Sequence, residues 1–235
     1  MQLIDVLLSG DFEEKMETIG WVRLNLGGID DELLFLILFS HLLGHKPKQL
    51  PKDIDFVLNL PDDLPYVTNT LFKLAIDTNE DGMIKWYAIV ALVSIAKEFE
   101  QQNSEYSFFE IAKIPIDITA KLLLQGFNFL MNIIREKWKN EEVFYLPEYE
   151  FARTTFLALG YFKNVEIVVE ALIRAAERTL FVGHQNIVQP HILAIRTLGE
   201  VGGNKTVEFL RYLVSSCEGE EKKEAQEALA RLGSS

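Results

Sequence analysis

The chain has 235 residues, of which 49% are hydrophobic, and its formal net charge at pH 7 is -12. This length and composition are sufficient to bury one continuous core, either in a globular body or in a short stack of repeats. The acidic balance argues against nucleic acid as the main ligand, because phosphate binding requires a positive surface field. The single cysteine, Cys217, excludes a disulfide within the chain and favours the reducing cytoplasm.

The sequence also predicts that the protein has no membrane partner. The chain begins with an early Asp5 and has no basic leader before an apolar stretch, unlike a secretory signal. Its longest apolar run, Leu33 to Phe39, is far short of the roughly 20 residues that a membrane span needs.

The first part of the chain, residues 1–79, is predicted to form irregular helices. Apolar residues recur at helical spacing from Phe12 to Leu26, and either Asp11 or Ser9 is available to cap the helix start. A nearly all-apolar helix is expected over residues 33–43.

Prolines interrupt the chain between residues 45 and 65, so one long helix is excluded there and only a short one, over 54–60, is expected. A helix over 64–76 then leads into an acidic turn that ends at Gly82, and the next helix is expected to begin after Asp81 as its cap.

Small residues beside leucine mark the inner stripes of paired helices in the rest of the chain. A small residue there lets a neighbouring helix approach closely, and the adjacent leucine fills the space beside it. From Ala158 to Thr197 is 39 residues and from Thr197 to Ala228 is 31, within the roughly 30 to 47 residues of helix-pair repeats. The stripes are Ala88, Ala91 and Leu92; Ala158, Leu159 and Gly160; Ala194, Thr197, Leu198 and Gly199; and Ala225, Ala228 and Leu229.

The interval from Ala91 to Ala158 is longer, 67 residues, which indicates one repeat with an insertion from about Gln101 through Pro147. That insertion is predicted to contain a helix over 118–137 and, around Pro147, an aromatic and acidic connector over 144–151. Helices are expected beyond it over 149–161, 165–180, 184–199, 206–216 and 220–232.

These stripes resemble HEAT repeats, in particular the phycobilisome-lyase type of HEAT-like repeat. The series Asp81, Ile84, Lys85, Ala88, Ala91, Leu92 matches the repeat pattern, as do the segments 158–160 and 197–202. The resemblance covers about 81–99 and 149–233.

The resemblance implies an all-α fold, an α-α superhelix in which helical hairpins of HEAT-like or armadillo type stack as a solenoid. It implies a single domain over 1–235, with degenerate repeats over 1–79, a repeat with an insertion over 80–147, and regular repeats with a polar C-terminal cap over 148–235.

The resemblance implies a non-enzymatic scaffold that binds a protein or peptide on a concave face formed by 121–135, 166–178 and 206–212. One alternative is a subunit similar to bilin lyases, which handles a tetrapyrrole and its acceptor protein. A further alternative is a HEAT-like DNA glycosylase, which the acidic charge disfavours. No cofactor is predicted, and the sequence leaves the oligomeric state open.

Bases interleaved with aromatic residues supply the candidate binding residues. The surrounding glutamates make a solvated helix face the competing interpretation, whereas Tyr, Trp and Arg are the favoured anchors of protein interfaces. The candidates are Arg135, Trp138, Tyr149, Arg153, Arg174 and Arg178.

A weak resemblance to a calcium loop occurs at Asp77, Asn79 and Asp81, where oxygen-bearing side chains alternate before Gly82. The twelfth position should carry a bidentate Glu and is Ala88, so a plain turn is the favoured interpretation.

The histidines and the cysteine do not form a recognisable catalytic or metal site. His41 and His45 are four residues apart, but no Glu follows either of them as in a metalloprotease helix. His184 and His191 lack the His-Glu pairs of di-iron HEAT-repeat hydroxylases. Cys217 precedes several glutamates, which argue against an activated thiol. The sequence therefore predicts neither catalytic residues nor a metal site.

Overall fold

A computed structural model of the chain describes residues 3–26, 64–103, 107–139, 146–177 and 190–233. Every regular element within these ranges is an α-helix, so the all-α prediction is confirmed for this part of the chain. None of the described helices combines the length and apolar character needed to cross a membrane. The predicted helices over 33–43 and 54–60 lie outside the described residues.

The chain divides into two compact units, Met1–Phe151 and Ala152–Ser235. The single domain expected over 1–235 therefore stays a prediction. The described helices are α1 (Leu3–Ser9), α2 (Phe12–Leu26), α3 (Leu64–Ile76), α4 (Gly82–Gln102), α5 (Phe108–Ala112), α6 (Ile116–Lys139), α7 (Leu146–Leu159), α8 (Glu166–Ala176), α9 (Pro190–Val201), α10 (Asn204–Ser216) and α11 (Gly219–Gly233).

Two helical pairs pack together in the first unit. Helix α1 packs on α2 and α3 packs on α4, while α1 also contacts α3 and α2 contacts α4. Helix α4 is central, because it also packs on α5 and α6 and is buried almost all round between Ile84 and Ala96. The helix predicted over 118–137 is α6.

Aspartates start two helices of the first unit. The backbone amide of Asp11 donates to Glu14 Oε2 at 2.9 Å, and the amide of Glu14 donates to Asp11 Oδ1 at 2.9 Å, a reciprocal capping box. Asp81 Oδ1 accepts from the amide of Met83 at 2.7 Å and caps α4, as predicted. Ser9 is not a cap, since its hydroxyl donates to the carbonyl of Asp5.

Polar contacts join α2 to the α4 region. Lys15 Nζ lies 2.5 Å from Glu80 Oε2, and both side chains are only 12% exposed. Arg23 is buried, its Nε donates to Ser94 Oγ at 3.2 Å, and its guanidinium lies 6.0 Å from the ring centre of Tyr87. These pairs hold charged groups at a largely apolar interface without leaving them unpaired.

Helix α9 is the centre of the second unit, where it packs on both α8 and α11, and α10 packs on α11. The turn after α7 is fastened to this helix, because the amide of Asn164 donates to the carbonyl of Val201 at 2.9 Å. Asn164 adopts a left-handed conformation, with φ of 58°, which Asn tolerates better than most residues.

The predicted close approach of small residues is confirmed between α9 and α11. A Cβ atom on Gly199 would lie 2.9 Å from both Cα and Cβ of Ala228, closer than side-chain atoms normally pack. Glycine therefore lets the two helix backbones meet where any larger residue would separate them.

The C-terminal helix, expected as a polar cap, buries one of its acids. Glu224 is 5% exposed, and it accepts from Arg196 Nε at 2.8 Å and from Arg196 Nη2 at 2.5 Å. This bidentate pairing lowers the pKa of Glu224, chiefly through the hydrogen bonds from Arg196.

Helix boundaries differ from the sequence prediction around Pro147. The predicted connector is wrong over 146–148, because α7 begins at Leu146, three residues before the predicted helix start at Tyr149. Proline is compatible with the first turn of a helix, where its missing amide hydrogen has no partner to lose. The predicted extensions over 178–180 and 184–189 lie outside the described residues.

Candidate functional site

One side of the second unit presents side chains from α8 and α10 together. On α8, Glu166, Glu170 and Arg174 are four residues apart and share one helix face, with Ile173 beside them. On α10, positions 205, 208, 209 and 212 share a face for the same reason. We call these residues the α8–α10 face: Glu166, Glu170, Ile173, Arg174, Lys205, Glu208, Phe209 and Tyr212.

Lys205 joins the two helices of this face. Its ammonium pairs with the carboxylate of Glu166 and lies 3.1 Å from Glu170 Oε1. The hydrogen bond from Lys205 lowers the pKa of Glu166, and the hydrogen bonds to Glu166 and Glu170 raise the pKa of Lys205. These pairs are solvent-exposed, so they orient the face more than they stabilise it.

Aromatic side chains of α10 supply the apolar part of the face. The ring centres of Phe209 and Tyr212 lie 6.4 Å apart with the rings tilted by 34°. Tyr212 is 61% exposed, whereas Phe209 is half-buried. An exposed tyrosine beside a partly buried phenylalanine is typical of a protein-binding patch, since tyrosine offers a large contact area with little loss of side-chain entropy.

The structure distributes the six predicted binding residues between the two units. Arg135 and Trp138 lie on α6 and Tyr149 on α7, all in the first unit, and their side chains lie outside the described set. In the second unit, Arg153 is half-buried on α7 and Arg174 is exposed on α8. Arg178 lies outside the described residues. Of the six predicted residues, therefore, Arg174 is the one that is described as a member of the α8–α10 face.

Sequence reasoning placed 206–212 on the binding face but missed Lys205, Phe209 and Tyr212 as individual residues. The helical spacing of Lys205, Phe209 and Tyr212 was the available signal. Their relation to α8, however, depends on a contact between residues 35 to 39 positions apart along the chain.

The acidic turn with the calcium-loop resemblance uses its carboxylates for backbone contacts. Asp77 Oδ1 accepts from the amide of Asn79 at 2.9 Å, while Asp81 caps α4. In the described part of the chain, no group of three or more His, Cys, Asp or Glu side chains is arranged to hold a metal ion.

His191 and Cys217 are described side chains that are not members of the α8–α10 face. His191 is buried on α9, with Nε2 3.4 Å from Glu221 Oε1, and its Nδ1 has no hydrogen-bond partner among the described residues. Burial lowers the pKa of His191, and the nearby carboxylates of Glu221 and Glu220 partly offset that effect. Cys217 is half-buried and ends α10. His41, His45 and His184 lie outside the described residues.

Comparison of the chain with protein-family models, with curated proteins and with solved structures gave no match.

Proposed function

We propose that this chain is a cytoplasmic, non-enzymatic scaffold built from stacked HEAT-like hairpins that binds a segment of another protein on the α8–α10 face. The observation that carries the proposal is Tyr212, a 61% exposed aromatic residue beside Phe209 on a face that Lys205 ties together across two helices.

Helix contacts within each unit support the HEAT-like part of the proposal. In the first unit, α1 contacts α3 and α2 contacts α4, the arrangement expected when one hairpin lies on the next. In the second unit, α8 contacts α10 and α9 packs on α11, which again pairs alternate helices. At Gly199 the two helices are so close that a single added Cβ atom would clash with Ala228, and such repeats require packing of this kind.

Charge on the face favours a basic partner segment. Glu166, Glu170 and Glu208 carry three carboxylates, against the bases Lys205 and Arg174. The face therefore has a net negative charge within a chain of net charge -12. A partner with excess Lys or Arg is steered towards it, so association is expected to slow as salt is added.

Tyr212 is expected to contribute more to the binding free energy than the other side chains of the face. Burying a large exposed side chain contributes about 1.5–3 kcal/mol, and tyrosines at interface centres are often worth about 2 kcal/mol or more by alanine substitution. Loss of Tyr212 is therefore expected to weaken partner binding by at least about tenfold, whereas loss of a rim charge has a smaller effect.

The test is capture of partners from the native cell extract by the wild-type chain and by two variants, Tyr212→Ala and Arg174→Glu. Each has a matched control: Tyr66→Ala, at a 71% exposed tyrosine of the first unit, and Arg211→Glu, on another side of α10. We expect the face variants to lose a protein that both controls retain.

All four positions are exposed, so far-UV circular dichroism and thermal unfolding should match wild type. A partner recovered equally with Tyr212→Ala and Arg174→Glu would refute this placement of the binding surface.

A further inference from the structure

The first unit contains a cleft of its own. It has a volume of about 460 Å³ and runs between the start of α4 and one stripe of α6. Leu122, Gln125, Gly126 and Phe129 form that stripe, because residues three and four apart share a helix face. The volume is within the range of small-molecule pockets, about 300–1,000 Å³.

Apolar side chains from both helices line the cleft. Met83 and Trp86 contribute from α4, and Leu122 and Phe129 contribute from α6. Trp86 is 3% exposed and fixed in place, since a Cβ on Gly126 would lie 2.4 Å from its Cδ1 atom. Phe129 is 54% exposed, so its ring has surface left for a ligand to cover.

Three charged residues, Glu80, Asp81 and Lys85, also line the cleft, and the charge of Glu80 is already neutralised. Glu80 pairs with Lys15, and its second oxygen accepts from the amide of Asp81. Asp81 uses Oδ1 to cap α4, which leaves its charge and its other oxygen available. Lys85 has no carboxylate partner among the described residues.

The cleft therefore offers a ligand one acid, Asp81, and one base, Lys85, beside apolar side chains. Asp81 is the cap residue of α4 and Lys85 lies in the first turns of the same helix, so both side chains lie at the same end of the cleft. A ligand with only a carboxylate would face Asp81 unpaired, and a ligand with only an amine would face Lys85 unpaired. A ligand that carries both charges on neighbouring atoms leaves neither group unmatched.

We propose that this cleft binds a free α-amino acid with an apolar side chain. The ammonium group pairs with Asp81, the carboxylate pairs with Lys85 near the positive end of α4, and the side chain covers Phe129 and Trp86. The amide of Gln125, which is exposed at the cleft, is available for a further hydrogen bond to the carboxylate.

Isothermal titration calorimetry with three probes tests the charge requirement. The probes are L-phenylalanine, 3-phenylpropanoate, which lacks the amine, and 2-phenylethylamine, which lacks the carboxylate. We expect saturable binding of L-phenylalanine. Each single-charge probe is expected to bind at least about tenfold more weakly than L-phenylalanine, because it lacks one charge-assisted hydrogen bond. Binding of either single-charge probe as tightly as L-phenylalanine would overturn the assignment.

Substitutions test the location of the site. Asp81→Asn keeps the cap oxygen for α4 while removing the charge, and Lys85→Gln removes the base. Each is expected to weaken L-phenylalanine binding about three- to tenfold, as is Phe129→Ala through loss of apolar contact. Lys97→Gln, an exposed base further along α4, is the matched control and should leave binding unchanged. Absence of binding to the wild-type chain, or binding that all three cleft variants retain, would overturn the proposal.

Discussion

Substitution of Gly199 by alanine tests the contact that holds α9 against α11. The added methyl group would lie 2.9 Å from Cα and Cβ of Ala228 and 3.2 Å from Arg231 Nε. The first of these atoms belongs to the backbone and has no rotamer by which to move away. The helices must therefore separate, and the buried surface along both of them is disturbed.

Two effects of opposite sign set the magnitude. Alanine is favoured over glycine inside a helix by about 1 kcal/mol, whereas overpacking of a tight core contact costs about 1–3 kcal/mol. Because the clash is with backbone, we take the upper part of that range and expect a net loss of about 1–2 kcal/mol in the free energy of unfolding.

Urea unfolding followed by circular dichroism measures this loss, with Gly160→Ala as the matched control. At Gly160 the nearest atoms to an added Cβ are 3.4 Å away, an ordinary contact, so its stability is expected to stay within about 0.5 kcal/mol of wild type. In addition, Ala228→Gly should rescue part of the Gly199→Ala defect, because it removes the opposing methyl group. A Gly199→Ala variant more stable than wild type would mean that helix propensity alone governs this position and that the close contact is wrong.

Two further predictions concern buried ionisable groups of the second unit. Glu224→Gln should lower the free energy of unfolding at pH 7 by about 1–2 kcal/mol. This loss is smaller than for a fully buried pair, because solvent screens the 40% exposed Arg196. Urea unfolding measures the loss, and the exposed control Glu227→Gln should leave the free energy of unfolding nearly unchanged. Burial holds the pKa of His191 below 6.5 in the folded chain, so the unfolded chain binds a proton at a higher pH than the folded chain does. The contribution of neutral His191 to the free energy of unfolding is therefore complete above about pH 6.5 and is lost as the pH falls below it. The difference between unfolding free energies at about pH 8 and about pH 5.5 should shrink in His191→Phe, and an unchanged difference would contradict a buried neutral imidazole.

Features that depend on neighbours in sequence could be predicted from the chain alone. Capping by Asp81 requires only an acceptor two residues before a free amide, and the stripe around Gly199 requires only helical spacing of small residues. The boundary near Pro147 failed because proline signals both a break and a helix start, and the local sequence does not separate the two.

Pairings between distant residues were decided by the tertiary structure. The sequence shows a polar final helix, but only the packing of α9 on α11 sets Arg196 against Glu224 and makes burial of that acid tolerable. Likewise, only the approach of α8 to α10 unites Glu170 with Lys205. Helical periodicity determines which side of a helix a residue occupies, whereas the partner on that side depends on how whole helices pack, and this is why the α8–α10 face and the cleft beside Lys85 required the fold.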